Sequence, residues 1–381
     1  MQNRKFNIMQ IIPELGIGGA EQGCIDVAEA IHLSGNNSFI VSYGGTRVHE
    51  LRQLKSTFIK LPVHSKNPFT IWSNITKLRS LIRKHKIDVV HVRSRAPAWS
   101  AYFACKSLGV PMVCTVHSTY SGNDSYFKRL YNSSMMRGHH TIAISQTISD
   151  YINQSFTVNP SSLTIINRGV DISYFNPQLI RLVDQQRILK QWGITADKPI
   201  FLMPARITPR KGHLLLLDAL ELLSEKNYWC VILGPIQNKT KYYNQLLNLI
   251  DKKKLSKQVI IADASLEMPL AYSVADFVLT PSVTPEAFGR IAVEAQAMGK
   301  PVIATDYGEY RYTVHQNKTG WKFPVKDAKA FASCIENAMN ISSSEKSYMS
   351  DEAICNVHKN YTKSQMCAET IKVYQKLVTS D

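Results

Sequence analysis

The sequence predicts an α/β protein of two domains, each built on a parallel β-sheet. Its 381 residues exceed one ordinary domain, and a hydrophobic content of 44% can supply each half with a core. Short apolar runs alternate with helical periodicity along the chain, and this alternation restarts after a polar segment in the middle. Alternating strands and helices favour parallel sheets, because each helix returns the chain to the starting edge.

In the first half, a short apolar strand at 7–12 leads through a Gly-rich turn into a helical pattern at 20–32. The further strands predicted in this half cover 39–43, 57–61, 89–92, 112–117, 141–145 and 164–166. A helical segment precedes most of them.

In the second half, the polar stretch 177–198 is a candidate linker that contains a helical pattern at 180–192. The alternation then resumes with strands at 200–204, 229–233, 259–262, 277–280 and 301–305 and helices at 214–223 and 291–298. We therefore place one domain at 1–178 and a second at 179–362. The tail 363–381 has helical spacing that would allow it to pack back on the first domain.

The net charge of +16 is unevenly distributed. Residues 1–180 hold 19 Lys and Arg against 9 Asp and Glu, together with 8 of the 11 His. Such a bias suits an anionic partner such as membrane headgroups or a phosphorylated acceptor, although solubility alone also tolerates it. Nucleic acid is not expected, because the basic residues are dispersed and no reading motif occurs.

A helical pattern at 71–86 aligns Ile71, Ile75, Leu78 and Ile82 on one stripe flanked by basic residues. Such a stripe either lies on an anionic membrane or faces the protein core while the charges reach outward. The sequence leaves both interpretations open.

The cysteine pattern and hydropathy indicate a cytoplasmic protein. The seven cysteines form no C-x-x-C pair, no apolar run is long enough to span a bilayer, and the N-terminus lacks a secretory signal. No Asp-x-Asp or His/Cys cluster with metal spacing occurs, so we expect no metal and no other cofactor.

The segment 281–294 is the most informative stretch for chemistry. A strand ends just before it, a loop carries Glu286, and a helix begins near Gly289 and carries Glu294. A helix N-terminus suits a diphosphate, and two carboxylates beside it can bind hydroxyl-rich groups. On spacing alone, two ordinary glutamates, one on the surface and one on the helix, are the favoured explanation of the pattern.

The Glu-x7-Glu segment, which continues to Thr305, resembles the signature of the retaining glycosyltransferases of family 4. The Gly18-Gly19 turn, the strand end at 115–117, the segment 167–171 and the pair Arg206 and Lys211 follow in the family's order. The resemblance implies the GT-B fold, in which two Rossmann-like domains with parallel sheets face a central cleft. It points to the group 1 enzymes of bacterial cell-surface glycan or lipopolysaccharide synthesis.

The resemblance also implies a role for each matched residue. Glu286 would bind hydroxyls of the donor sugar, Glu294 would bind the ribose, and His117 would contact the donor sugar. Arg206 and Lys211 would neutralise the diphosphate as charge builds on the leaving oxygen. The remaining donor-binding positions are Gly18, Gly19, Phe288, Gly289, Arg290 and Ile291.

The implied activity is transfer of a hexosyl or N-acetylhexosaminyl group from a nucleotide-sugar, with UDP expected as the family's commonest donor nucleotide. The acceptor would be a cell-surface glycan or a lipid-linked molecule such as a lipopolysaccharide core, and the enzyme would work at the inner face of the cytoplasmic membrane. A sugar-nucleotide epimerase and a catalytically silent nucleotide-sugar binder remain alternatives. A dinucleotide-dependent oxidoreductase is disfavoured, because Glu21 interrupts G-x-G-x-x-G.

Two stretches depart from the family pattern. Residues 233–236 lack the common Gly-x-Gly, and residues 308–312 lack the second glycine and the glutamate of Gly-Gly-x-x-Glu. These departures bear on which sugar is transferred more than on whether transfer occurs.

Overall fold

The computed structural model of the protein describes residues 4–122, 125–235, 241–263 and 267–379. The chain divides into two compact units, one formed by Met1–Gly169 with Lys363–Asp381 and the other by Val170–Thr362. The boundary between the two units therefore follows residue 169, whereas the sequence placed the domain boundary at 178.

The first unit contains a seven-stranded sheet in the order β3-β2-β1-β4-β5-β6-β7, and all its neighbouring strands are parallel. Its strands are β1 (Asn7–Ile11), β2 (Asn37–Ser42), β3 (Thr57–Lys60), β4 (Val89–Val92), β5 (Met112–Val116), β6 (His140–Ala143) and β7 (Leu163–Ile165). Its first six helices are α1 (Gly19–Leu33), α2 (Val48–Gln53), α3 (Pro68–Lys84), α4 (Arg95–Lys106), α5 (Tyr126–Asn132) and α6 (Gln146–Ser155).

The second unit contains a six-stranded parallel sheet in the order β10-β9-β8-β11-β12-β13. Its strands are β8 (Ile200–Pro204), β9 (Trp229–Leu233), β10 (Val259–Ala262), β11 (Phe277–Thr280), β12 (Val302–Thr305) and β13 (Gly320–Phe323). Its helices are α7 (Leu182–Trp192), α8 (His213–Leu222), α9 (Lys241–Lys252), α10 (Met268–Val274), α11 (Arg290–Ala297), α12 (Tyr310–Thr313), α13 (Ala328–Met339) and α14 (Ser343–Asn360).

The predicted α/β class with two parallel sheets is confirmed. The candidate linker 177–198 belongs to the second unit, where its predicted helix is α7. Of the residues in the departing segment 233–236, Ile236 lies outside the part of the chain that the structure describes.

The last helix, α15 (Lys363–Thr379), belongs to the first unit. Tyr374 on α15 is buried in that unit's core, and its hydroxyl lies 2.5 Å from Nδ1 of His91 on β4. Lys363 at the start of α15 pairs with Glu29 of α1 at 3.4 Å. The tail therefore completes the core of the first unit.

Both sheets have a point where the chain reverses its direction of growth across the sheet. In the first unit this point lies between β1 and β4, and in the second it lies between β8 and β11. Adjacent loops leave the carboxyl ends of these strand pairs in opposite directions and open a crevice, which is where ligands bind in open α/β sheets. Each unit is therefore expected to bind ligands at the carboxyl ends of these two strands.

Candidate functional site

The second unit brings a lysine and a glutamate together at the carboxyl ends of β8 and β11. Lys211 lies in a short 3₁₀ turn after β8, and Glu286 lies in the loop between β11 and α11. Nζ of Lys211 is 2.8 Å from Oε1 of Glu286, and their side chains are only 12% and 13% exposed. Two further groups approach the same carboxylate oxygen, Nη2 of Arg210 at 3.6 Å and Oγ of Ser282 at 3.1 Å.

Charge decides the protonation state of Glu286. Burial raises the pKa of its carboxyl group, but the Lys211 ammonium and the Arg210 guanidinium lower it by more, so that it lies below its ordinary value. The carboxylate is therefore ionised at neutral pH. The sequence assigned Lys211 to the diphosphate and Glu286 to sugar hydroxyls, and the structure places the two residues in one ion pair.

The two loops that carry this pair are held together through their backbones. The amide of Val283 donates to the carbonyl of Arg210 at 3.0 Å. Gly212 has φ +83°, and a Cβ at this position would overlap the carbonyl oxygen of Pro281. Only glycine combines this left-handed backbone with so close an approach, so Gly212 sets the position of Lys211 relative to the β11 loop.

Arg206, the other predicted diphosphate ligand, lies just after the end of β8. Its side chain is exposed to solvent. Its guanidinium forms no ion pair within residues 4–122, 125–235, 241–263 and 267–379. The structure thus places three cations after β8, of which Lys211 and Arg210 approach Glu286 and Arg206 extends outward.

The start of α11 is shaped by Gly289, which caps the helix with φ +74°. A Cβ there would overlap the ring of Tyr310, which is buried in the second unit. The Tyr310 ring therefore packs against the N-terminus of α11. The sequence offered no signal for this role.

The other predicted donor-binding residues, which lie on α11 or just before it, divide between surface and core. Arg290 is exposed and its Nε donates to Oε1 of Glu294 at 2.5 Å, while the buried Tyr272 donates to Oε2 at 3.0 Å. Phe288 is buried against the ring of Tyr361. The side chain of Ile291 packs on the core of the second unit. Phe288 and Ile291 therefore offer a ligand only their backbone groups.

The segment 308–312, which departs from the family pattern, holds the backbone of Glu286. Gly308 forms a parallel bridge with Glu286, and the amide of Glu309 donates to the Glu286 carbonyl at 3.0 Å. Glu309 is buried. These backbone contacts hold the Glu286 loop in position at the sheet edge.

In the first unit, the Gly18-Gly19 turn opens α1 at the carboxyl end of β1. Gly18 is extended with φ −173°, a conformation that any residue adopts, and neither glycine has positive φ. Glycine is required at both positions because there is no space for a side chain. A Cβ on Gly19 would overlap Nη1 of Arg168, and a Cβ on Gly18 would overlap the carboxylate of Glu21. The two glycines therefore leave room for two charged side chains, Glu21 at Gly18 and Arg168 at Gly19.

His117 follows β5 at the same edge, and Nη2 of Arg168 donates to its Nδ1 at 3.2 Å. Burial and the cations Arg168 and Arg93 hold the pKa of His117 well below its ordinary value of 6.5. The imidazole is therefore neutral. Since Nδ1 accepts a hydrogen bond, Nε2 carries the proton and can donate to a ligand oxygen.

Arg93 is a residue of this edge that the sequence analysis did not select. It directly follows the last residue of β4 and is only 5% exposed. Its Nε donates to Oε1 of the buried Gln10 at 2.7 Å. Its position at a strand end could have marked it as a candidate site residue. This signal is weak, because an arginine after an apolar strand is usually exposed on the protein surface.

Among the described stretches of the chain, no group of three or more His, Cys, Asp or Glu side chains is arranged to hold a metal ion. No described helix is both long enough and apolar enough to cross a bilayer.

Two protein families match the chain, one to each half. Residues 17–174 match Glycosyltransferase Family 4, and residues 184–354 match Glycosyl transferases group 1. The two matches meet close to the boundary between the structural units.

Solved structures match over almost the whole chain. A glycosyltransferase from Rickettsia africae is 31% identical, covers 99% of this chain and 100% of its own, and superposes with a TM-score of 0.92. Anabaena HepE, solved in complex with UDP and glucose, is 18% identical with a TM-score of 0.81 and covers 97% of this chain and 99% of its own.

Two further curated relatives match over about two thirds of this chain. D-inositol 3-phosphate glycosyltransferase of Jonesia denitrificans is 24% identical over 66% of this chain, and the match spans 63% of that relative's length. A UDP-Gal:alpha-D-GlcNAc-diphosphoundecaprenol alpha-1,3-galactosyltransferase of Escherichia coli is 22% identical over 69% of each chain.

Proposed function

This chain belongs to the glycosyltransferases, with a family 4 segment followed by a group 1 segment, and we propose that it transfers a sugar from UDP-sugar to a lipid-linked or cell-surface glycan with retention of configuration and without a metal ion. The observation that carries this proposal is the cluster of Lys211, Arg210 and Glu286 beside the start of α11.

The charge arrangement supports a diphosphate as ligand. Cleaving the bond between a sugar and a nucleoside diphosphate leaves negative charge on the leaving oxygen, and positioned cations stabilise that charge most effectively. Arg206 and Lys211 supply two cations at one sheet edge, and the backbone amides at the start of α11 supply a partial positive charge. These groups take the place that Mg²⁺ has in metal-dependent transferases.

Glu286 supplies the complementary chemistry. Its ionised carboxylate can accept hydrogen bonds from sugar hydroxyls, and its ion pair with Lys211 keeps it extended at the sheet edge. When a diphosphate binds, Lys211 can share its three protons between the phosphate and Glu286. In the first unit, Nε2 of His117 donates to a ligand oxygen, and the leaving diphosphate itself accepts the proton of the acceptor.

The choice of UDP and of a lipid-linked acceptor is supported by relatives. HepE binds UDP and glucose, and the E. coli relative uses UDP-Gal with a diphosphoundecaprenol acceptor. We propose the same class of donor here, a lipid-linked acceptor such as a lipopolysaccharide core or a polyprenyl diphosphate glycan, and a site of action at the inner face of the cytoplasmic membrane.

We expect UDP to stabilise the protein against thermal unfolding, and EDTA to leave this effect unchanged. A ligand at a hundredfold above its Kd adds about 2.7 kcal/mol to the free energy of unfolding, which is readily seen in a thermal shift. Lys211→Met should reduce the shift and lower sugar transfer by about 10²-fold or more, because it removes a cation from the leaving group. Transfer at the wild-type rate in this variant would contradict the proposal, and so would a UDP response that EDTA abolishes.

The apolar stripe on α3 does not contact a membrane. Leu78 and Ile82 are buried and Ile71 and Ile75 are half-buried, so the stripe faces the core of the first unit. The membrane interpretation of this stripe is therefore wrong, and the interpretation as a core-facing helix holds.

Two pairs of exposed aromatic side chains on the first unit have the composition of a membrane contact. Phe69 and Trp72 in the first turns of α3 are 83% and 73% exposed, and Tyr126 and Phe127 at the start of α5 are 74% and 80% exposed. Exposed cations adjoin both pairs in sequence, namely Lys66, Lys128 and Arg129. Aromatic rings beside basic residues bind the interface of anionic bilayers, and we propose that these two helix starts do so here.

The double variant Phe69→Ser/Trp72→Ser should bind vesicles containing phosphatidylglycerol about a hundredfold more weakly than the wild type, or weaker still. Each buried aromatic ring stabilises the bound state by roughly 1.5–3 kcal/mol, and 1.4 kcal/mol is a factor of ten. Co-sedimentation at low salt measures the change. Leu33→Ser is the matched control, because Leu33 is 78% exposed at the end of α1, away from α3 and α5 in sequence. Equal binding by all three proteins would contradict the assignment.

A further inference from the structure

We infer that the second unit holds a binding site for a neutral saccharide, in a cavity between β13, the end of α13 and the start of α14. The volume of this cavity is about 610 Å³, which lies within the range of pockets that bind small ligands. Its lining includes three asparagines, two aromatic residues and a methionine, namely Asn317, Asn337, Asn340, Trp321, Tyr348 and Met349. The inference goes beyond the proposed sugar transfer and does not depend on it.

The cavity lies at the edge of the second sheet opposite to Lys211 and Glu286. Asn317 lies in the turn before β13, where its backbone amide donates to the carbonyl of Gly320 at 2.8 Å. This turn marks the amino ends of the strands. Lys211 and Glu286 follow the carboxyl ends of β8 and β11, and these strands run parallel to β13. A ligand in the cavity is therefore separate from the proposed donor, although both sites belong to one unit.

The polar groups of the cavity are mostly side-chain amides. Asn337 lies in the last turn of α13 and Asn340 caps its end, and both residues are exposed. Neither amide group forms a hydrogen bond within the described stretches of the chain, so both are free to bind a ligand. An amide has two N–H donors and an accepting oxygen, and it therefore pairs with a hydroxyl group, which both donates and accepts.

Backbone geometry explains only part of this cluster of asparagines. Asn317 has φ +59°, a conformation that asparagine adopts more readily than most residues, so the turn accounts for its identity. Asn337 has no such explanation, because asparagine is a weaker helix former than alanine or lysine. A ligand that uses its amide accounts for it.

The charge of the lining disfavours an anionic ligand. Among the described residues, no lysine, arginine or histidine lines the cavity, and the charged residue that does so is Glu345. Oε2 of Glu345 accepts hydrogen bonds from the backbone amide and the hydroxyl of Ser342, at 3.2 and 2.6 Å. A carboxylate repels a phosphate but accepts hydrogen bonds from hydroxyl groups. The lining therefore suits a neutral ligand that is rich in hydroxyls.

The apolar part of the lining combines a fixed and an accessible aromatic residue. Trp321 is 6% exposed, and its ring lies 5.9 Å from that of Phe277 in the core. Tyr348 on α14 is 51% exposed, which leaves half of its surface available to a ligand. A sugar ring presents C–H groups on its faces and hydroxyls at its edges, so aromatic surface beside amide groups matches both. This combination indicates a saccharide as the ligand.

The test is a ligand-observed NMR titration of two neutral trisaccharides, maltotriose and triacetylchitotriose, with the full-length protein and saturating UDP. We expect at least one of them to bind. Tyr348→Ala should weaken that binding about tenfold because it removes the accessible ring, whereas Tyr348→Phe should retain it. Asn337→Ala should weaken it about fivefold, as expected for the loss of a hydrogen bond.

Asn248→Ala is the matched control for Asn337→Ala. Asn248 is also an exposed asparagine on a helix of the second unit, α9, and it does not line the cavity. This variant should bind the trisaccharide with wild-type affinity, and thermal unfolding shows whether each variant is folded.

Two results would overturn the inference. The first is the absence of binding by both trisaccharides, and the second is binding that Tyr348→Ala and Asn337→Ala leave unchanged, which would place the saccharide elsewhere on the protein. Failure of the proposed function is seen separately in the UDP thermal shift. Tyr348→Ala should leave that shift intact, because Tyr348 lines a cavity at the opposite sheet edge from Lys211 and Glu286.

Discussion

Replacing Glu286 by glutamine is expected to lower sugar transfer by about 10²–10³-fold while UDP still binds. The carboxylate is ionised and bound by Lys211, and glutamine keeps its shape but removes the charge. Hydrogen bonds from sugar hydroxyls to a neutral amide are about half as strong as those to a carboxylate. Lys211 also loses the partner that holds its ammonium at the sheet edge.

Release of UDP from UDP-sugar in the presence of acceptor measures this effect, and urea unfolding shows whether the fold is retained. Asp218→Asn is the matched control, because it also exchanges a carboxylate for an amide in an ion pair. Asp218 is exposed, and its Oδ1 lies 2.9 Å from Nζ of Lys253. That variant should transfer sugar at the wild-type rate. If Glu286→Gln also did so, the carboxylate would have no part in the reaction.

Gly289→Ala should destabilise the second unit by about 2–5 kcal/mol and weaken UDP binding about tenfold. A left-handed backbone costs a residue with a Cβ roughly 1–2 kcal/mol, and forcing an added methyl group into a packed site costs typically 1–3 kcal/mol more. The new Cβ overlaps the Tyr310 ring, so relief requires the first turn of α11 to move. The amides of that turn are the groups proposed to bind the diphosphate.

Gly193→Ala separates the two causes, because Gly193 has φ +69° but a Cβ added there would have no neighbouring atom within 4 Å. It should cost only the backbone strain and leave UDP affinity unchanged. Urea unfolding followed by the fluorescence of the buried Trp321, together with UDP titration, measures both changes. Equal stability of the two variants would show that Tyr310 does not determine where α11 begins.

The strands were largely predictable from the sequence because both faces of a parallel sheet are buried. Continuous apolar runs such as 200–204 and 277–280 therefore coincide with β8 and β11. β13 was missed, since it has four residues, begins with Gly320 and carries Lys322 inside. The helices α13 and α14 were also not predicted, although both start with a side-chain cap at Asp327 or Ser342.

The candidate residues were predictable where a strand end and a helix start coincide in the sequence. This rule identified Lys211, Glu286 and His117, but it could not show that Lys211 and Glu286 form an ion pair across 75 positions of sequence. Nor could it distinguish Phe288, whose side chain is buried, from the exposed Arg290.

The sequence by itself determined the alternation of strands and helices, the two parallel sheets and the family of this protein, because these depend on local periodicity and motif order. Only the tertiary structure decided which side chains meet at the sheet edges, which face of α3 is buried, and that Arg168 lies against Gly19 at the start of α1. Those features depend on the order of strands within the sheet, which brings together residues far apart in the chain, and no local pattern encodes that order.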